Sequence, residues 1–65
     1  MRYQRGDINS TMRAAQNVAR DQQQTRYIVP TAFGFSIEKQ AAPFGGKCYE
    51  VKPDGTAQVI GGFTA

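Results

Sequence analysis

The 65 residues carry 8 Lys plus Arg against 5 Asp plus Glu, a formal charge of +3, with no His, no Trp and one Cys. A chain this short is one domain, and it buries only about 60% of the surface its unfolded form exposes. Its core therefore needs a staple, a metal, a partner or unusually good packing. One Cys closes no internal disulfide, and no His or Cys cluster offers a zinc cage, so self-association or a bound partner is the expected support.

No run of about 18 apolar residues is present, which argues against a transmembrane helix and a membrane partner. The opening Met1-Arg2-Tyr3-Gln4-Arg5-Gly6-Asp7 has basic residues but no apolar stretch behind them, unlike a secretory signal. A lone Cys without such a signal fits the reducing cytoplasm, the expected location. There the Asn9-Ser10-Thr11 sequon and the Arg5-Gly6-Asp7 tripeptide have no extracellular meaning.

Along the chain, residues 1–7 precede the first pattern, and the sequence leaves open whether this arm is ordered. Residues 9–24 contain no Gly, Pro or aromatic, and residues 8–24 read as one amphipathic helix. Ile8, Met12, Ala15 and Ala19 recur at helical spacing, with Val18 widening the stripe. Asp7, Asn9 and Ser10 are alternative N-caps. The stripe is too thin for helix propensity alone to hold about four turns in water, so the helix must dock on something. Its opposite face carries Arg13, Gln16, Asn17 and Arg20.

The remainder reads as strands. Arg26-Tyr27-Ile28-Val29 is β-branched and aromatic, and Pro30-Thr31-Ala32 interrupts it. Residues 33–37 alternate strictly, placing Phe33, Phe35 and Ile37 on one face. Residues 39–46 form a loop with Pro43 and Gly45-Gly46. Residues 47–52 alternate again, with Tyr49 and Val51 inward. Pro53-Asp54-Gly55-Thr56 is a turn in which Pro presets φ and Gly accepts the positive φ that closes it. Residues 57–60 return as a strand, and Gly61-Gly62 ends it. The expected fold class is α+β: an N-terminal amphipathic helix packed on a three- to four-stranded antiparallel β-meander, with Phe33, Phe35, Tyr27 and Tyr49 supplying the core.

The chemistry of catalysis is poorly represented. His, the usual group poised near neutrality, is absent. Cys48 has Lys47 beside it and Glu50 two residues on, but no base to orient a thiolate, so it reads as a semi-buried strand residue. Asp54 belongs to the turn and Asp7 to a cap. Glu38 and Glu50 form a carboxylate pair only by meeting across strands. The glycine pairs lack the strand, loop and Lys of a phosphate cradle. The chain is expected not to be an enzyme and to use no cofactor or metal.

Two surfaces remain. Five Arg against Asp7 and Asp21 place all the net charge in residues 1–26, whereas residues 27–65 are neutral. On the helix, Arg13, Gln16, Asn17 and Arg20 are side chains suited to phosphates and base edges, with Arg2, Arg5 and Arg26 as candidate neighbours. The same residue types also serve as an ordinary solvated helix face. The second surface is aromatic. Phe44, flanked by Pro43 and Gly45, and Phe63, in the tail, fall outside the strand pattern. Phe44 either closes over one end of the core or serves as an interface anchor. A free sheet edge adds a route to pairing with another copy.

Tyr27-Ile28-Val29-Pro30-Thr31-Ala32-Phe33-Gly34-Phe35-Ser36-Ile37, followed by Pro43-Phe44-Gly45 and by Tyr49-Glu50-Val51 ahead of Pro53-Asp54-Gly55, resembles short uncharacterised proteins of bacteriophages and prophages. The resemblance covers residues 27–55. It implies a small accessory protein that binds and inhibits or redirects a host protein or protein complex, such as a defence system, in the host cytoplasm. The leading expectation is thus a binding protein that uses Arg13, Gln16, Asn17 and Arg20 as one contact face and Phe44 as another. The alternatives are a nucleic-acid binder using the same Arg residues, and a structural subunit that forms a homodimer or larger oligomer through an edge strand.

Overall fold

The computed structural model describes the main chain of residues 2–4 and residues 8–32 and 34–62 in full. It contains a short strand β1 (Arg2–Gln4), helix α1 (Ile8–Gln22), and strands β2 (Arg26–Thr31), β3 (Gly34–Glu38), β4 (Cys48–Val51) and β5 (Ala57–Ile60). The architecture is the expected α+β one, a helix near the N-terminus on one face of an antiparallel sheet. The sheet has five strands rather than three or four, because residues 2–4 of the N-terminal arm pair with β3.

Ala, Met, Gln and Arg make α1 a good helix former, and its stop is set by backbone geometry. Gln23 takes a left-handed φ of 53°. Its N–H donates to the Arg20 carbonyl at 3.3 Å, while the Gln24 N–H reaches the Ala19 carbonyl at 3.1 Å. This is a Schellman closure with Gln where Gly is usual, and it ends the helix two residues before the expected 24. At the other end, Asn9 and Ser10 lie inside the first turn, so neither is the cap; Asp7 lies outside the described residues.

The strands are ordered β1-β3-β2-β4-β5, all neighbours antiparallel. This departs from a simple meander at two connections: β1 and β2 both flank β3, so α1 joins two parallel strands, and the β3–β4 link is the second. Both β3 and β4 pair with β2, so they run parallel to each other, and residues 39–47 must travel back along the sheet between them. β2 also continues through Pro30, which pairs with Phe35. That is tolerated because β4 pairs with β2 only as far as Ile28, leaving Pro30 flanked by β3 alone.

Directly opposed residues of an antiparallel pair share a face. The register therefore puts Ile28, Ile37, Tyr49, Val51, Phe35 and Arg26 on the side toward α1, and α1 packs across β2, β3 and β4. The core is Ala15, Ala19, Ile28, Ile37 and Val51, all buried, with Ile8, Met12, Ala14, Phe35 and Tyr49 half-buried around it. Thr11, fully buried on α1, completes a row of small residues with Ala15 and Ala19. Small side chains let the helix lie close to Ile28, whose burial contributes about 1.5–3 kcal/mol. The expected aromatic core is corrected accordingly. Tyr27 lies half-buried on the face away from the helix, Phe35 and Tyr49 are peripheral, and Phe33 lies outside the described residues.

The opposite face carries a polar row across three strands and the edge. Glu38, Tyr27, Glu50 and Gln58 are consecutive neighbours through β3, β2, β4 and β5. Beside them, Cys48 is a free thiol, fully buried rather than the expected semi-buried strand residue.

Candidate binding surfaces

The residues expected to form one contact face on α1 divide into two groups. Arg13, Asn17 and Arg20 are exposed. The Arg20 Nη2 donates to the Asn17 Oδ1 at 3.0 Å, and its Nε lies 3.9 Å from the Asp21 carboxylate, with both side chains largely in solvent. Asp21 thus offsets one of the two cations of this face, and a pair so exposed contributes little to stability. Gln16 is different. It is half-buried and its Nε2 donates to the Gly55 carbonyl at 3.1 Å, tying the helix to a turn 39 residues away. Gln16 thus holds the helix to the turn, whereas Arg13, Asn17 and Arg20 present their side chains to solvent.

Arg26 is buried within the fold rather than displayed with that face. It is 5% exposed, and its guanidinium donates to the Gln22 Oε1, to the Gln24 Oε1 at 3.0 Å and to the Thr25 carbonyl at 3.3 Å. It fastens the helix end to the first residue of β2. The side chains of Arg2 and Arg5 lie outside the described residues.

Phe44 projects fully into solvent, at 104% of its reference exposure, and does not close over the core. Its backbone is left-handed (φ 59°, ψ 29°), a conformation that costs a side-chain-bearing residue about 1–2 kcal/mol. Three neighbouring features hold it there. Pro43 has a fixed φ, Gly45 takes a φ of 71°, and the Gly46 N–H closes the turn on the Pro43 carbonyl at 3.1 Å. The chain beyond β5 then clamps the loop from outside: the Gly62 N–H donates to the Gly45 carbonyl at 3.1 Å. Gly61 passes so close that a Cβ there would collide with the Gly46 carbonyl oxygen. The other loose aromatic, Phe63, lies outside the described residues.

The same connection borders a groove of about 450 Å³ between itself and the sheet face opposite α1, lined by Val29, Glu38, Lys39 and residues 40–43. The sequence offered one signal for it, a long loop in a very short chain, but not its position beneath the crossover. Sequence reading also missed Val59, which with Phe44 makes up the large exposed hydrophobics of the described residues.

The remaining chemistry-bearing residues are engaged locally. Glu38 and Glu50 do not meet. Tyr27 stands between them, two strand spacings or roughly 10 Å apart. Glu38 accepts a hydrogen bond from the Ser36 hydroxyl, and Glu50 accepts one from the Gln58 Nε2 at 2.8 Å. Asp54 lies at the turn corner, where the Thr56 hydroxyl (2.7 Å) and the Thr56 N–H (2.9 Å) both donate to Oδ1. The hydroxyl first and then the N–H hold its carboxyl below the usual value of 3.8, against an opposing effect of desolvation and with a lesser contribution from the Lys52 charge. Among the described residues no three His, Cys, Asp or Glu side chains gather into a metal-binding group, and no helix is long and apolar enough to cross a membrane.

Among the described residues, the fold and its surfaces thus define a small α+β protein with a displayed aromatic, Phe44, and a modestly basic helix face. Comparison of the chain with protein-family models, with curated proteins and with solved structures finds no match.

Proposed function

We propose that this chain is a non-enzymatic binding protein that docks on another protein through Phe44, with Arg13, Asn17 and Arg20 forming a separate face on the helix. The observation that carries the reading is Phe44 itself. A fully exposed Phe on a left-handed backbone is costly twice over, in water contact and in strain, and the clamp from Gly45, Gly46 and Gly62 keeps it displayed. An aromatic held out on a rigid turn enters a partner's pocket with little further loss of entropy. The resemblance of residues 27–55 to short phage proteins supports a particular setting, an accessory protein that inhibits or redirects a host complex in the bacterial cytoplasm. The nucleic-acid alternative has less support, because Asp21 reduces the charge that α1 presents and Arg26 is occupied within the fold.

The test is capture of a bacterial protein on the immobilised chain, repeated with Phe44→Ala and with an Arg13→Ala/Arg20→Ala pair. A partner retained by the native chain and lost with Phe44→Ala is the expected result. A partner lost only with the Arg pair moves recognition to the helix. Tight, steeply salt-dependent binding of labelled DNA or RNA by the pure chain replaces the protein partner with a nucleic acid.

A further inference from the structure

We propose that β5 is a self-pairing edge, through which two copies of the chain join their sheets around a two-fold axis at Gln58. The inference rests on the backbone phase of β5 and is independent of the role given to Phe44.

The phase follows from the β4–β5 turn. The Lys52 N–H donates to the Thr56 carbonyl at 2.9 Å, so this pair points its main-chain groups inward. In an antiparallel ladder, inward-bonded and outward-pointing residues alternate. With Val51 opposite Ala57, Glu50 opposite Gln58, Tyr49 opposite Val59 and Cys48 opposite Ile60, Gln58 and Ile60 bond toward β4. Ala57 and Val59 direct both N–H and C=O to the free side. The Gly62 N–H, turned back to Gly45, keeps the same alternation. β5 ends the sheet order, so the described residues leave this edge uncovered.

Edges of this kind are normally blunted by charge, Pro or a bulge. β5 reads Ala57-Gln58-Val59-Ile60, with none of these within it, and Val59 is 51% exposed. Chemistry then selects a second copy as the occupant. A two-fold axis perpendicular to the sheet at Gln58 places Ala57 opposite the partner's Val59 and Val59 opposite the partner's Ala57. All four outward-pointing groups of each strand are then paired, giving four hydrogen bonds. The neighbouring register, centred on Val59, would require Ala57 to pair with the partner's Gly61, whose φ of 73° is not extended. It is therefore poorer.

Side chains agree with the chosen register. Val59 lies opposite Tyr49, and Ala57 opposite Val51, on the helix side. The pairing extends an apolar row from Ile37, Ile28, Tyr49 and Val59 across the axis into the partner's Ala57 and Val51. On the reverse face the two Gln58 side chains lie side by side, each amide donating to its own Glu50. A four-residue strand buries well under the roughly 1,000 Å² of stable interfaces, so the dimer is weak and reversible, forming only at high protein concentration.

Sedimentation equilibrium of the full chain over a wide concentration range is the first test. The average mass is expected to rise toward that of a dimer. Val59→Lys, which sets a charge on the edge, should raise the dissociation constant at least about tenfold. A native chain that remains monomeric at millimolar concentration overturns the proposal, as does a folded Val59→Lys variant that still dimerises equally well.

Cross-linking tests the register independently of that variant. Gln58 faces its own copy in a non-hydrogen-bonded pair, with Cα atoms about 4.5 Å apart, within disulfide reach. The two Val59 positions are about 8 Å apart. Mild oxidation should link Gln58→Cys chains at least about tenfold faster than Val59→Cys chains, against the native chain, whose buried Cys48 serves as background. Equal rates for the two variants, or no link through Gln58→Cys, sink the assignment.

Discussion

The two faces of the sheet do different work. The side under α1 is closed by small aliphatic residues, with Ala15, Ala19, Ile28 and Val51 at zero exposure. The other side carries the polar row from Glu38 to Gln58 and the crossover that displays Phe44. In 65 residues there is no room for both faces to hold a full core. The larger aliphatic core lies under the helix, whereas the reverse face buries only the small side chains of Ser36 and Cys48 among the described residues.

The most severe test of that division is Ile28→Ala, which opens a cavity at the one position flanked by Ile37, Tyr49 and the helix. It should cost about 2–5 kcal/mol, enough to leave much of so small a domain unfolded in a denaturant titration. Next comes Arg26→Ala. Removing a buried guanidinium from Gln22, Gln24 and Thr25 should cost about 1–3 kcal/mol, read as a lower midpoint. If Arg26 belonged to the solvated face, the midpoint would stay put.

Two helix substitutions sharpen the comparison further. Gln16→Ala breaks the bond to Gly55 and should cost about 0.5–1.5 kcal/mol. Arg13→Ala, one turn along on the exposed side, should stay within about 0.5 kcal/mol of the native chain. Equal losses for both would erase the distinction between fold-bound and free residues on α1.

The smallest effect is expected at Asp54, outside both faces. Its folded pKa is depressed by Thr56, so its contribution is present above the unfolded value of about 3.9 and is lost as pH falls through the lower folded value. Acid unfolding of Asp54→Asn should therefore show a shallower loss of stability below about pH 4 than the native chain does. An unchanged acid limb would remove the turn from the account.

Much of this was legible in the residues. The apolar spacing located α1 to within two residues at its end, because only the left-handed Gln23 lacked a compositional mark. Alternation placed Tyr49 and Val51 inward, and Pro53-Asp54-Gly55 announced its turn. Strand order was not legible: whether β4 pairs with β2 or β3 depends on contacts distant in sequence. β1 is too short for any period to register. The core was misjudged because large aromatics were given priority over the close approach that Ala15, Ala19 and Thr11 permit. For the site, Pro43 and Gly45 around Phe44 flagged the loop, but its exposure depends on a clamp from residue 62. Gln16 looked like its neighbours on α1 because its partner, a carbonyl, leaves no trace in the sequence near it.

That clamp also sets an order of events during synthesis. The β3–β4 crossover is made early, yet the Gly45 carbonyl that fixes the Phe44 turn is bonded by the Gly62 N–H, and Gly61 must slide against the Gly46 carbonyl to deliver it. Until residue 62 has left the ribosome, the strained turn lacks its outer support and Phe44 is free to relax. The pairings of the helix and the three inner strands do not use that bond, whereas the turn that displays Phe44 does. A chain cut just before residue 62 would therefore keep every strand pairing described above and lose the outer bond on the Phe44 turn.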